Sequence, residues 1–393
     1  MDTNSNNQAN SVSNNQSNAV TTQNVPVASP ANIIPNVNER NLSAEISELL
    51  DLAIQKNASD LHLTVGVKPM IRIDGKLMAV ENKPILTPDH VQRLVYSFMT
   101  DNQKERFLNS KEIDFSFSYG DKVRFRVNVY NQKGWVAVAL RLIPSKIRNL
   151  QELGLPPILE KFVYSSQGFV IVTGPTGHGK STTLAAIINL INQTRADHII
   201  TIEDPIEYVF QHDKSVIEQR EVFNDTKSFG KGLRSVLRED PNVALVGEMR
   251  DLESIEAALT IAETGHLVFT TLHTNNAWET IDRIVTVFPP HQQTQIRMQL
   301  ANVLVGVISQ RLIRRIGGGR IPAVEIMLAN SAVRNVIREG KTYQLSNILQ
   351  TSLSEGMINL DKVLADLVSK GDISVDDALA WAQDPKALKM AIY

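Results

Sequence analysis

The most specific chemistry in this chain lies in one loop, Gly174-Pro175-Thr176-Gly177-His178-Gly179-Lys180-Ser181-Thr182. It satisfies G-x-x-x-x-G-K-S/T between a short apolar run, Phe169 to Thr173, and a helical stretch from Ser181 to Gln193. Glycines there let the backbone wrap a phosphate, so that several amide N–H groups and the positive end of a helix face the anion. Lys180 then reaches the β- and γ-phosphates of a nucleotide, and Ser181 ligates Mg²⁺. An accidental glycine-rich turn would lack the strand before and the helix after. The loop by itself says that phosphate is held, not that it is cleaved.

Two carboxylate clusters follow at the ends of strand-like runs, where a doubly wound sheet gathers its ligands. One is Thr201-Ile202-Glu203-Asp204-Pro205-Ile206-Glu207, and the other is Val246-Gly247-Glu248-Met249-Arg250-Asp251. Phosphoryl transfer to water needs a metal, a group that orients the water, and cations to neutralise the charge growing on the γ-phosphate. Two carboxylate clusters can serve the first two needs, although a loop acid taken singly is as readily just solvated. A third segment places His266 before and His273 after the apolar run Leu267 to Thr271. Two imidazoles at strand boundaries beside a nucleotide are suited to sensing a γ-phosphate; a structural hydrogen-bonding role stays open, and a metal site lacks an evident third ligand.

The elements that must position these groups form an α/β chain in four parts. Residues 1–40 are rich in Asn, Ser and Gln and bury too little apolar surface to offset ordering, so they read as a disordered tail, inert or a docking arm. Residues 41–146 read as a small α+β domain: a helix from Leu42 to Ile54 with Ser43 near its cap, a hairpin at Asp74-Gly75, a helical stretch from Pro88 to Leu108 and three β-like runs ending near Ile143. Residues 147–330 alternate strand and helix, the signature of a mostly parallel sheet covered on both faces. Residues 331–393 are helical in period and read as a closing bundle.

The 393 residues carry 40 basic and 42 acidic side chains, so no global charge marks a nucleic-acid binder. Cysteine is absent, which removes disulfides, thiolate zinc sites and thiol nucleophiles. No apolar run approaches the ~18 residues of a spanning helix, so a membrane role is expected to be peripheral, through a partner.

Taken in order, the phosphate loop, the acidic box around Glu203 to Glu207, the segment Val243 to Asp251 and the histidine box from Glu263 to His273 resemble the secretion-type ATPases that drive type II secretion and type IV pili, within the RecA-like P-loop group. The resemblance spans about residues 42 to 371 and is strongest to the branch that retracts pili for twitching motility. Ser59-Asp60-Leu61-His62-Leu63 is similar to the start of that branch's PAS-like N-terminal domain, and Ala332 to Gly340 to its C-terminal helix motif. Extension and secretion members usually carry a four-cysteine zinc module and an extra N-terminal domain, of which this sequence shows neither. The resemblance implies ATP and Mg²⁺, with Glu207 polarising the attacking water, Glu248 in the Walker B role, His266 and His273 sensing the γ-phosphate, and Arg124, Arg126 and Arg141 reaching the nucleotide from the first domain. For those arginines a solvated strand face is the alternative.

It further implies a homohexamer at the cytoplasmic face of the inner membrane acting on a pilus platform protein, with no nucleic-acid partner. An assembly or secretion ATPase, or an ATP-binding regulator without turnover, would share much of the pattern. The chain departs from the family at His178, where a small residue is usual and an imidazole is expected to sit outward, and at Asn242, where Asp is common. Gly230 and Gly232 fall inside an expected helix, each costing roughly 1 kcal/mol against Ala.

Overall fold

Residues 42–73, 75–120, 123–144 and 146–392 are described by a computed structural model; the segment read as a disordered tail lies outside them. Ser43 accepts the Ile46 N–H and starts α1 (Ala44–Gln55), which buries Ile46, Leu49, Leu50 and Ala53. There follow β1 (Asp60–Leu63), β2 (Met70–Ile73) and β3 (Lys76–Ala79), the last two paired antiparallel across the expected hairpin with Gly75 at φ +81°. The helical stretch breaks into α2 (Pro88–Tyr96) and α3 (Asp101–Ser110), because Thr100 forms a capping box with Gln103 and so begins a new helix. Next come β4 (Glu112–Tyr119), β5 (Val123–Gln132) and β6 (Trp135–Pro144), giving an antiparallel sheet in the order β3-β2-β1-β6-β5-β4.

Alternation along β5 decides what this domain presents. Phe125, Val127 and Val129 enter the domain core, so Arg124 and Arg126 share the opposite face. Arg141 on β6 lies directly across from Arg126. The period of two therefore collects all three arginines on one surface.

The second unit contains α4 (Glu160–Val163), β7 (Gly168–Thr173), α5 (Lys180–Thr194), β8 (His198–Glu203), β9 (Val216–Glu221), α6 (Phe229–Val236), β10 (Val243–Val246), α7 (Leu252–Glu263) and β11 (Leu267–Leu272). It continues through α8 (Ala277–Thr286), α9 (Pro290–Val303), β12 (Leu304–Arg314) and β13 (Arg320–Leu328). The sheet order is β13-β12-β7-β11-β10-β8-β9, parallel throughout except for β13. β7, β10 and β11 are buried along their whole length, as strands covered on both faces must be. Phe169 and Ile171 join the core under α7, while Val170 and Val172 join the core under α5. The helical glycines have a packing reason: a Cβ on Gly232 would stand 3.2 Å from Ile202 and Thr226, so its absence lets α6 approach β8.

The remaining helices are α10 (Ser331–Glu339), α11 (Leu345–Thr351), α12 (Leu360–Ser369), α13 (Val375–Trp381) and α14 (Pro385–Ile392). They split rather than close as one bundle: α10 and α11 complete the main core, whereas α12 to α14 pack with Ile313 and Ala323 of β12 and β13. Arg334 of α10 donates to the carbonyls of Ala301 and Asn302 at the end of α9, where a cation also meets the negative end of the helix.

The first domain meets the second through a buried charge. Glu221 accepts from Ser116 Oγ at 2.7 Å, the Ile206 N–H at 3.0 Å and Arg124 at 3.2 Å, and Arg124 Nε donates to the Ile206 carbonyl at 3.0 Å. Removing one partner strands the other in a poor solvent, a loss on the order of 3 kcal/mol. Glu221→Ala is therefore expected to lower the thermal melting midpoint by several degrees, while Glu81→Ala, which removes the exposed pair with Lys68, leaves it unchanged. Equal melting curves for the two variants would refute this.

Candidate functional site

The four adjacent parallel strands β7, β11, β10 and β8 end on one side of the sheet, and the loops leaving them carry the candidate chemistry. The phosphate loop follows β7, His273 follows β11, Glu248 follows β10, and Glu203 closes β8 ahead of Glu207. They line a cleft of about 1010 Å³ that also reaches Arg126 and Arg141 of the first domain. A cleft of this size and polarity accommodates a nucleotide.

The loop is braced from β12. Gln310 accepts from Thr183 of α5 at 2.7 Å and donates to the His178 carbonyl at 2.9 Å. Gly174 and Gly179 leave room for this strand, since a Cβ on either would fall 2.3 Å from the Gln310 carbonyl or 2.8 Å from its side-chain nitrogen. Gly179 also caps α5 at φ +84°, a conformation favourable to glycine. Arg320 adds a bond to the Gly177 carbonyl at 3.1 Å.

Lys180 is buried, and its ammonium donates to the carbonyls of Gly174 at 2.8 Å and Pro175 at 3.1 Å and lies 3.3 Å from His273 Nδ1. Since an ammonium only donates, that nitrogen must be the acceptor, which leaves Nε2–H of a neutral imidazole to donate to Glu248 Oε1 at 3.0 Å. Burial lowers the His273 pKa, and Lys180 lowers it further against the pull of Glu248. Burial alone would raise the Glu248 carboxyl, but the bond and charge of Arg250, with His273 and Lys180, outweigh it and hold the group below its ordinary value. The result is a cation, a neutral relay and an anion in line.

Glu207 meets Arg126 at 3.4 Å, and Arg126 is anchored by Asp114 at 2.7 Å. Arg141 is held by Asp60 at 3.0 Å. Both arginines thus border the cleft already oriented. Arg124 does not line it, being spent on Ile206 and Glu221 at the domain junction.

His266 departs from its expected place. It precedes β11 whereas His273 follows it, so a strand of six residues at about 3.3 Å each separates the two. His266 Nδ1 instead faces the Ile261 carbonyl at 2.9 Å and Thr264 Oγ1 at 3.0 Å at the far end of the sheet. Within one subunit it is a structural hydrogen-bonder. Asn242 lies at that same far end and pins His198 of β8, accepting its N–H at 2.8 Å. Nor does His178 sit outward: its Nδ1 accepts the Leu312 N–H at 3.0 Å and its ring meets Trp381 edge-on, 4.9 Å between centroids. Its pKa is lowered by burial, then by Arg311, Arg320 and Lys180.

Gln310, Arg320 and Tyr208, which bonds Thr182 at 2.9 Å, were not singled out by the sequence. They lie outside the boxes and carry no spacing signal; only the fold brings them to the loop.

A parallel RecA-like sheet whose strand ends bear a phosphate loop, paired acids and a neutral histidine defines a P-loop ATPase. A family model described as type II/IV secretion system protein matches residues 36–319, and the chain belongs to that family. It is 49% identical to the type IV pilus retractation ATPase PilT of Pseudomonas aeruginosa, over 87% of this chain and 99% of that protein. To the type IV pilus ATPase PilU of the same organism it is 38% identical, over 88% and 91% of the two chains. The crystal structure of the pilus retraction motor PilT with bound ADP superposes with a TM-score of 0.82 at 49% identity, covering 88% of this chain and 99% of that one.

Glu203 gives a test of the site's electrostatics. Burial pushes its carboxyl up from 4.5 to about 7, against the bonds from Thr201 and Gln219. The folded chain therefore retains a proton that the unfolded chain releases between about pH 4.5 and 7, so stability falls as pH rises through that window and levels off above it. Glu203→Gln is expected to melt several degrees above wild type at pH 8 and close to it at pH 4.5 to 5. A pH-independent difference would show that the carboxyl is ionised throughout.

Proposed function

We propose that this chain is the motor that powers type IV pilus retraction, hydrolysing ATP with Mg²⁺ as a homohexamer at the cytoplasmic face of the inner membrane, where it acts on the pilus platform protein. The observation that carries the reading is the 49% identity to the P. aeruginosa retraction ATPase along nearly the whole of that protein, against 38% to PilU. Among the described residues no helix is long and apolar enough to cross a membrane, so docking to a membrane partner is the consistent mode.

In this reading the amides of residues 174–182 and the N-terminus of α5 hold the phosphates, and Lys180 exchanges its carbonyl partners for phosphate oxygens. Glu207 orients the attacking water, and Arg126 and Arg141 bring positive charge from the first domain to the γ-phosphate. His273 stands between Lys180 and Glu248, so a change at the phosphate is transmitted to the Walker B acid. The donor set fits Mg²⁺: Ser181 stands in the first turn of the helix after the loop, and Glu248 supplies a hard anionic oxygen in the same cleft. When bound there, the ion would neutralise charge on the phosphate oxygens.

Two experiments test this. With purified protein, Glu207→Gln is expected to bind ATP near wild-type affinity and to release phosphate at least a hundredfold more slowly, whereas Lys180→Ala loses binding itself. Wild-type protein that releases no phosphate would mark a regulator. In cells, deletion is expected to leave abundant surface pili without twitching, and a bald deletion strain would instead indicate pilus assembly.

A further inference from the structure

Behind the phosphate loop packs a part of the chain that none of the nucleotide boxes contains. Trp381, the last residue of α13, touches the phosphate loop directly and reaches the loop after β11 through Arg311 of β12. Its ring receives the edge of His178 from the phosphate loop, at 4.9 Å and 65°, and carries the Arg311 guanidinium 5.7 Å from its centroid. Arg311 is buried and donates to the carbonyls of Gln310, at 3.0 Å, and Asn275, two residues beyond His273. The two loops also meet in front, because Lys180 bonds both the Gly174 carbonyl and His273. Trp381, His178, Lys180, His273, Asn275 and Arg311 thus form a closed circuit of contacts around the strand ends.

We propose that Trp381 is a positioning residue for nucleotide binding: with His178 and Arg311 it fixes the separation of the phosphate loop from the loop after His273, and so couples the C-terminal helices to the affinity for ATP. The helix is itself anchored, since Gln383 just beyond it donates to buried Glu325 at 2.6 Å, and Glu325 accepts the Ala277 N–H at the start of α8 at 2.9 Å. An imidazole in the loop is what allows the coupling. A small side chain at 178 would reach neither the Leu312 N–H nor the indole. The Leu312 N–H can only donate, so His178 Nδ1 is the acceptor, and burial together with Arg311, Arg320 and Lys180 lowers the pKa of the ring.

The test is a double-mutant cycle on ATP hydrolysis by the full chain with Mg²⁺, comparing Trp381→Ala, His178→Ser and the double variant. Each single change is expected to raise KM for ATP at least threefold with kcat within twofold, and the double variant to be no worse than the larger single. Trp381→Phe keeps a ring against the imidazole and is expected to recover most of the wild-type KM. His178→Ser alters no residue of the C-terminal helices, so it carries the test if Trp381→Ala fails to fold. A KM for His178→Ser less than threefold above wild type, or single effects that multiply in the double variant, would overturn the proposal.

Discussion

The parallel pairing of β7 with β11 is the constraint on which the rest of the site depends. Two strands in parallel register release their next residues at the same edge, so the phosphate loop and His273 emerge side by side although ninety-odd residues of chain separate them. Extending the register to β10 and β8 adds Glu248 and Glu203 along a line perpendicular to the strands. An antiparallel neighbour would send its following loop to the opposite edge. The one strand that does run antiparallel, β13, sits at the sheet's margin.

That edge also sets the electrostatics. A buried ammonium is tolerable only with acceptors around it, and Lys180 finds two loop carbonyls and an imidazole nitrogen. The imidazole in turn directs its remaining proton to Glu248, which Arg250 helps keep ionised. Glu203 is bonded instead by Thr201 and Gln219, and burial pushes its carboxyl up to about 7. Two glutamates at neighbouring strand ends are therefore shifted in opposite directions for identifiable reasons.

Much of this was legible in the residues. The phosphate loop, the strand and helix flanking it, and the boxes at Glu203 to Glu207 and Val243 to Asp251 declare themselves because glycine spacing and continuous apolar runs are local signals. The arginines of β5 and β6 were reached through the family resemblance, and alternation along β5 explains why Arg124 and Arg126 share a face. What was not legible is which end of a strand a flanking residue occupies in space relative to a distant loop. His266 and His273 look equivalent in the sequence, yet the strand between them carries one to the cleft and the other away from it. Likewise nothing local says that β12 lies beside β7 and brings Gln310 to the phosphate loop, or that the helices after Ser331 divide between two cores.

The junction at Glu221 bears on how force and chemistry meet. The atoms clamped between the domains belong to Ile206, whose N–H and carbonyl are both taken, and the next residue along the chain is Glu207. No slack linker intervenes between that junction and the carboxylate, and Arg126 grips its side chain from the other domain. A mechanical load tilting the first domain would register first as a displacement of one acid in the cleft, so the joint doubles as a strain gauge.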